Sequence, residues 1–256
     1  MASSYTYDNF TITFPAPYVA QVEISRPAKL NAFIESMWQD IARIFTRLSA
    51  DPSVRAILLT GAGERAFCAG LDIQAAGTSG VLATTNDPQA EVLDPARKAA
   101  AIKRHILSFQ ADISAIETCT KPVIAVLHGI SYGLAIDMTC CADVRICAAD
   151  TRFAVKEVDI GLAADIGTLS RLPKAGVGMS WVKEVCLSAR DFGAEEALRV
   201  GFVSRVCGDR SQAITEGLEM ANLVAAKSPV AVQATKEVLN FSRDHSVQDG
   251  EFDIVS

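Results

Sequence analysis

Pro122-Val-Ile-Ala-Val-Leu-His-Gly-Ile-Ser-Tyr-Gly-Leu-Ala-Ile-Asp137 is the stretch that decides the fold of this chain. An unbroken apolar run from Val123 to Leu127, opened by a proline, predicts a buried strand. Two glycines four residues apart then punctuate a turn, and a short helix carrying Asp137 is expected to follow. The same alternation recurs outward along the chain. Val54 to Thr60 reads as a buried strand ending at Gly61, and Asp143 to Cys147 and Phe202 to Val206 read as further strands. Ile34, Met37, Trp38, Ile41, Phe45 and Leu48 fall on one helical stripe, as do Ile102, Ile106, Phe109, Ile113 and Ile116. Thr11 to Phe14 and Val19 to Ile24 predict a hairpin around Pro15 and Pro17. Residues 74 to 95, rich in Gly, Thr, Asn and Pro, predict a variable loop. Helices are expected over Ser211 to Lys227 and over Pro229 to Asn240, the second opened by Ser-Pro at its cap. Strands alternating with helices imply an α/β layered core.

Composition narrows the function classes. Half of the 256 residues are hydrophobic and 21% are charged, which suits one large domain with a filled core. No apolar run reaches the roughly 20 residues of a membrane-spanning helix. Met1 to Gln21 has no Lys or Arg and no continuous apolar stretch, the pattern of neither a secretory leader nor a mitochondrial presequence. An intracellular, soluble protein is therefore expected, with no membrane partner. A net charge of −6 gives no basic face for nucleic acid. The seven cysteines are scattered and form no C-x-x-C pair, so reduced thiols are expected, with no metal site.

Three acids stand in otherwise apolar, glycine-containing surroundings: Asp137, Glu157 and Asp165. Such carboxylates are costly to keep ionised, so their proton affinity is expected to rise, and they become candidates for carrying protons. Each has a plainer reading. Asp137 would satisfy N–H groups at the start of its own helix, and Glu157 would pair with Lys156. The turns at Ala69-Gly70-Leu71 and Gly133-Leu134 offer unpaired N–H donors, which an oxyanion site requires.

Other patterns compete. Gly129-Ile-Ser131-Tyr-Gly133 matches a nucleophile elbow, with His245 the only later histidine. Gly61-Ala-Gly63-Glu-Arg-Ala66 resembles a degenerate dinucleotide fingerprint, but Phe67-Cys-Ala-Gly70 interrupts the helix that should follow. His105 and His128 default to structural roles, Asp143 and Arg145 to a buried structural pair, and Asp159 to solvent.

Together, Phe67-Cys-Ala-Gly-Leu-Asp-Ile73, Lys121-Pro-Val-Ile-Ala125, the Gly129-to-Asp137 segment, Ala142-Asp-Val-Arg145 and Arg26-Pro-Ala-Lys-Leu-Asn31 resemble the enoyl-CoA hydratase/isomerase (crotonase) superfamily. The likeness runs from about residue 10 to residue 245. Phe153 to Pro173, Ser228 to Gln233 and Ser242 to Ser246 are similar to the Δ3,5-Δ2,4-dienoyl-CoA isomerases within it. The resemblance implies a spiral of repeated ββα units over residues 1–200. It also implies a C-terminal helical, oligomerising region over 201–256, here shortened, and a homotrimer or dimer of trimers. It further implies an acyl-CoA thioester substrate, no cofactor beyond the CoA of the substrate, and a peroxisomal or mitochondrial setting, although no targeting signal is visible. The thioester oxygen would lie between the backbone N–H groups of Leu71 and Leu134, with Asp137, Glu157 and Asp165 catalytic. CoA would run along Ala28, Lys29, Ala69, Gly70, Leu71, Asp72 and Ile73, with Gly133 facing it. An enoyl-CoA hydratase, a non-catalytic binding protein of the same fold and a serine hydrolase using Ser131 are the alternatives. Hydratases resembling this fold carry Gly where this chain has Asp165. Where the family commonly has three glycines before its acid, this chain has Gly133-Leu134-Ala135.

Overall fold

The computed structural model describes residues 5–78 and 94–252. In chain order the strands are β1 (Phe10–Ala16), β2 (Val19–Ile24), β3 (Ala56–Gly61), β4 (Ala66–Cys68), β5 (Val123–Leu127), β6 (Ile130–Tyr132), β7 (Val144–Ala148), β8 (Arg152–Ala154), β9 (Phe192–Gly193) and β10 (Arg205–Cys207). The α-helices are α1 (Glu35–Ala50), α2 (Ile73–Thr78), α3 (Pro95–Thr118), α4 (Leu134–Cys140), α5 (Thr168–Arg171), α6 (Met179–Ser188), α7 (Ala194–Arg199), α8 (Arg210–Ala225), α9 (Pro229–Ser242) and α10 (Val247–Phe252).

Two sheets result. The larger runs β1-β2-β3-β5-β7-β10, antiparallel only at the β1–β2 hairpin; the smaller runs β4-β6-β8-β9, antiparallel only at β8–β9. The chain feeds them alternately. β3, β5 and β7 enter the larger sheet, and β4, β6 and β8 follow each of them into the smaller one. Each coil of the spiral is thus a strand, a bend, a second short strand and a helical return, the repeated ββα unit. β5 is fully apolar and β3 is apolar up to Thr60, and both are buried along their whole length, as central parallel strands must be. Gly129 makes one bend achievable: its φ is +51°, and a Cβ there would come 2.3 Å from the Arg65 carbonyl oxygen.

Several expectations are adjusted. The strand expected at Phe202 to Val206 begins at Arg205, because Phe202 and Val203 turn into the core instead. The loop expected over 74–95 falls mainly on residues outside the described ones, and Ile73–Thr78 are helical. Asp143 and Arg145 do not pair with each other. Asp143 accepts from Lys236 Nζ (2.8 Å) and Val123 N–H (2.7 Å), whereas Arg145 donates to the carbonyls of Thr139, Ala142 and Phe202. Strand pleating explains this, since residues two apart share a face but each reaches a different neighbour.

The helices beyond residue 200 do not share one surface. α8 lies on the larger sheet, with Gly217 close against Val126 and Leu58. α9 stands off the core and is held there by polar contacts. Lys236, its one buried residue, reaches Asp143 and the Lys121 carbonyl, and Arg243 meets Glu117 just past its end.

Candidate active site

Two loops from different coils meet at the mouth of a cavity of about 210 Å3. The first is built by the Arg26–Asn31 turn. Leu30 and Asn31 both take positive φ (52° and 56°), a conformation Asn tolerates better than most residues. The buried Asn31 side chain then ties the turn together, accepting from Arg26 N–H and donating to the Ala62 and Ala66 carbonyls, each at 2.9 Å. The Ala69–Asp72 loop hangs from this turn. Ala69 N–H donates to Leu30 O, Phe33 N–H to Gly70 O and Asp72 N–H to Phe33 O. In that parallel bridge the residues either side of Leu71 make the bonds, so the Leu71 N–H turns the other way. The Asp72 carboxylate is already engaged: the Ala75 N–H and then the Arg26 guanidinium hold it below the usual carboxylate range. Its side chain thus closes the loop, leaving only its backbone to face a ligand. Ala28, Lys29 and Ile73 are exposed along the outer edge.

The second loop is Tyr132-Gly133-Leu134. Gly133 sits at φ 54°, ψ −116°, which side-chain-bearing residues scarcely reach, and donates to Ala154 O at 2.9 Å. Leu134 opens α4, so its N–H has no acceptor within the helix. The two loops abut: a Cβ on Gly70 would lie 3.2 Å from Tyr132 O and 3.8 Å from Leu134 N. Neither the Leu71 nor the Leu134 N–H donates to a backbone acceptor among the described residues.

All three sequence-selected acids line this cavity, together with Leu71 and Leu134. Asp137, in α4, is buried, and its Oδ1 accepts from Thr168 N–H (2.6 Å) and Thr168 Oγ1–H (2.8 Å). It therefore serves the start of α5 rather than its own helix. Burial pushes its carboxyl up to about 6, against the pull of the Thr168 bonds, and Asp165 adds to the rise. Glu157 opens a 3-10 turn (Glu157–Ile160). Its Oε2 is buried without a partner, and its Oε1 would lie 3.2 Å from a Cβ on Gly133. Burial, then the nearby Asp137 charge, pushes it up to about 7. Its neighbour Lys156 is drawn away to Asp191 (3.1 Å), Asp159 (3.4 Å) and the Ala189 carbonyl (2.7 Å). The expected Glu157–Lys156 pair therefore does not form, and Asp159 is ion-paired as well as exposed. Asp165 lies exposed on the cavity rim, where its backbone carbonyl takes Gln110 Nε2 at 2.7 Å. The apolar setting read from the sequence thus encloses two of the acids and leaves the third open.

The cavity wall opposite is apolar, formed by Ile34, Trp38, Ile102, Ile106, Phe109 and Leu162. Trp38 stacks on Phe109 at 4.1 Å between centroids, with His105 edge-on to it. His105 therefore belongs to the wall, which a lone histidine in sequence did not reveal. Thr168 was missed as well; its signal is a Gly-Thr helix start two residues after Asp165. A larger cavity, about 630 Å3, lies between α9 and the core and contains none of the three acids.

The rival motifs lose their context. Ser131 is fully buried inside β6 rather than raised on a strand-to-helix corner, so it cannot meet a substrate as a nucleophile. His245 stacks on Phe241 at 3.6 Å. Gly61 to Ala66 is the bend from β3 to β4, with no helix after it. His128 is buried against the Gly63 carbonyl (2.8 Å), a structural role. Among the described residues no group of His, Cys, Asp and Glu is placed to hold a metal ion, and no helix is long and apolar enough to cross a membrane.

One cavity thus joins the Leu71 and Leu134 segments to three carboxyls. Residues 16–252 match the enoyl-CoA hydratase/isomerase family, and the chain belongs to that family. It is 40% identical over 248 residues to a human protein, Delta(3,5)-Delta(2,4)-dienoyl-CoA isomerase, mitochondrial, covering 97% of this chain and 73% of that protein. It is 38% identical over 227 residues to Delta(3,5)-Delta(2,4)-dienoyl-CoA isomerase, peroxisomal, of Arabidopsis thaliana, covering 89% and 79%. The crystal structure of an enoyl-CoA hydratase from Bacillus anthracis superposes with a TM-score of 0.82 at 23% identity, covering 95% of this chain and 86% of that one, which establishes the shared crotonase-type α/β fold.

Proposed function

We propose that this protein converts 3,5-dienoyl-CoA to 2,4-dienoyl-CoA in the oxidation of unsaturated fatty acids. The observation that carries this is the third acid, Asp165, in the same cavity as Asp137, Glu157 and the amides of Leu71 and Leu134. Moving a proton between carbons four bonds apart calls for a carboxyl at each end. The thioester oxygen accepts from the two amides, which polarise the carbonyl and acidify C2; one such donor is worth roughly 3 kcal/mol at a transition state. Glu157 takes the C2 proton. The electron pair spreads along the chain to C6 as a dienolate whose charge rests on the held oxygen. Asp165 then delivers a proton to C6, and the double bonds emerge at C2 and C4. Asp137 tunes the pair electrostatically. Solvent exchange at the rim returns Glu157 and Asp165 to their starting states.

In this reading the acyl chain lies against the Trp38–Phe109 wall, and CoA runs over Ala28, Lys29 and the Ala69–Ile73 loop toward Gly133, with Lys29 near a phosphate. No cofactor takes part. The spiral core extends past residue 200 through β10 and α8, leaving the helices beyond it as the C-terminal helical region; assembly into trimers or paired trimers and a mitochondrial or peroxisomal setting complete the proposal.

The test is spectroscopic. Incubation with a 3,5-dienoyl-CoA should generate the strong ultraviolet absorbance of the 2,4-dienoyl thioester, and Asp165→Asn should lower kcat by about 100-fold or more. Water addition to a 2-enoyl-CoA without that isomerisation, or unchanged turnover in Asp165→Asn, would return the assignment to a hydratase.

A further inference from the structure

Thr168 has no place in the proton path above, yet it makes two short contacts to Asp137, one of the acids that line the cavity. Its N–H lies 2.6 Å and its Oγ1 2.8 Å from the same oxygen, Oδ1 of Asp137, and both residues are buried. Local structure makes both donors available. Thr168 is the first residue of α5, so its N–H has no acceptor within the helix, and its hydroxyl has a single hydrogen to give. Gly167 allows the approach, because a Cβ there would sit 3.2 Å from the Asp137 carbonyl oxygen and 3.3 Å from its Cα. Two donors on one carboxylate oxygen favour the ionised form.

The charged and titratable groups around Asp137 do not offer the same service. Glu157 and Asp165 repel its charge. Cys68 of β4, Cys140 in α4, Cys141 after it and Cys186 of α6 are buried thiols. The nearby cation, Arg171 of α5, is committed to Glu117 and Ser114 Oγ. The Gly167 N–H also favours the Asp137 anion, so the Thr168 hydroxyl is the one side-chain donor among these groups that does so.

We propose, on the basis of the isomerase reading, that Thr168 is a positioning residue: its two donations hold Asp137 as the standing anion of the site, so that Glu157 and not Asp137 carries the exchangeable proton. The same two bonds fix the segment bearing Asp165 against the helix that bears Leu134, and so set the distance between the amide grip and the far acid.

The experiment compares Thr168→Val with Thr168→Ser. The valine variant loses the hydroxyl donation and keeps the backbone one, so Asp137 takes up its proton at higher pH and opposes the ionisation of Glu157 less. The acid limb of the kcat–pH profile should then move to lower pH by about one unit, while the serine variant keeps the wild-type midpoint. Carboxyl 13C NMR titration of the substrate-free protein should show Asp137 protonating at higher pH and Glu157 at lower pH in the valine variant. Loosened packing alone would lower kcat equally at all pH values and leave both titrations in place, which overturns the proposal. So does a shift of the limb in the opposite direction. Should the valine variant fail to fold, Thr168→Ala carries the same comparison. If the wild-type protein does not isomerise dienoyl-CoA, the functional reading fails, and the NMR titration still decides the role of Thr168.

Discussion

At the scale of single residues, the proposed proton transfer rests on Glu157, whose buried Oε2 has no hydrogen-bond partner. An unpaired, desolvated carboxylate is a stronger base than one in water, and burial with the Asp137 charge places it near the working pH at about 7. Activity should therefore rise with pH through a midpoint near 7, as Glu157 loses its proton. Glu157→Gln, which keeps the shape, should lower kcat by about 100- to 10,000-fold. A profile flat from pH 6 to 8, or a glutamine variant of near-normal kcat, would remove Glu157 from the role. The acids were legible in sequence because a charge among glycines and aliphatics is conspicuous. The partner of Asp137 was not, because Thr168 lies 31 positions away and nothing local to either residue announces the bond.

At the scale of elements, α9 is anchored to the core by its one buried residue, which is charged. Lys236 enters the core and meets Asp143, whose carboxyl burial raises and whose charge Lys236 and the Val123 N–H compensate. Removing one member of such a buried pair strands the other, at a cost of about 3 kcal/mol or more. Lys236→Met should thus lower stability in urea titration by about that amount, and adding Asp143→Asn should restore part of it, since asparagine can still accept from Val123. Equal stability of the single and double variants would show that the pair contributes nothing. The long strands β2, β3 and β5 and the stripes of α1 and α3 could be read from sequence because each presents several turns or repeats of one period. The smaller sheet could not. β4, β6 and β8 are three residues each, too short to display any alternation, and what defines them is the bend before them: Gly61, Gly129 and the Ala149–Thr151 turn. The resemblance to a known family supplied the spiral that periodicity alone left unseen.

At the scale of the whole molecule, the two raised carboxyls link the site to stability. In the unfolded chain these groups titrate near 3.8 and 4.5; in the folded protein they titrate near 6 and 7. The folded state therefore binds more protons between those values. Their contribution to stability is complete below about pH 4 and falls as pH rises through about 7. Glu117 acts oppositely. Burial alone would raise its carboxyl, but Arg171 and Arg243 hold it below the usual range, so its stabilisation is lost as pH falls through that depressed value. Glu157→Gln should melt several degrees above wild type at pH 8 and close to it at pH 5, by differential scanning calorimetry. An equal difference at both pH values would mean that the Glu157 charge is not what costs stability.

The seam between coils has one more consequence. One coil supplies the Leu71 amide, the next supplies the Leu134 amide and Asp137, and a third supplies Glu157 and Asp165. The two amides proposed to grip the carbonyl are thus in place before the third coil begins, whereas two of the three proposed proton-handling acids arrive with it. On the proposed mechanism, substitutions confined to residues 155–168 should therefore alter the reaction while leaving thioester recognition in place, so that a single short segment carries the choice of chemistry.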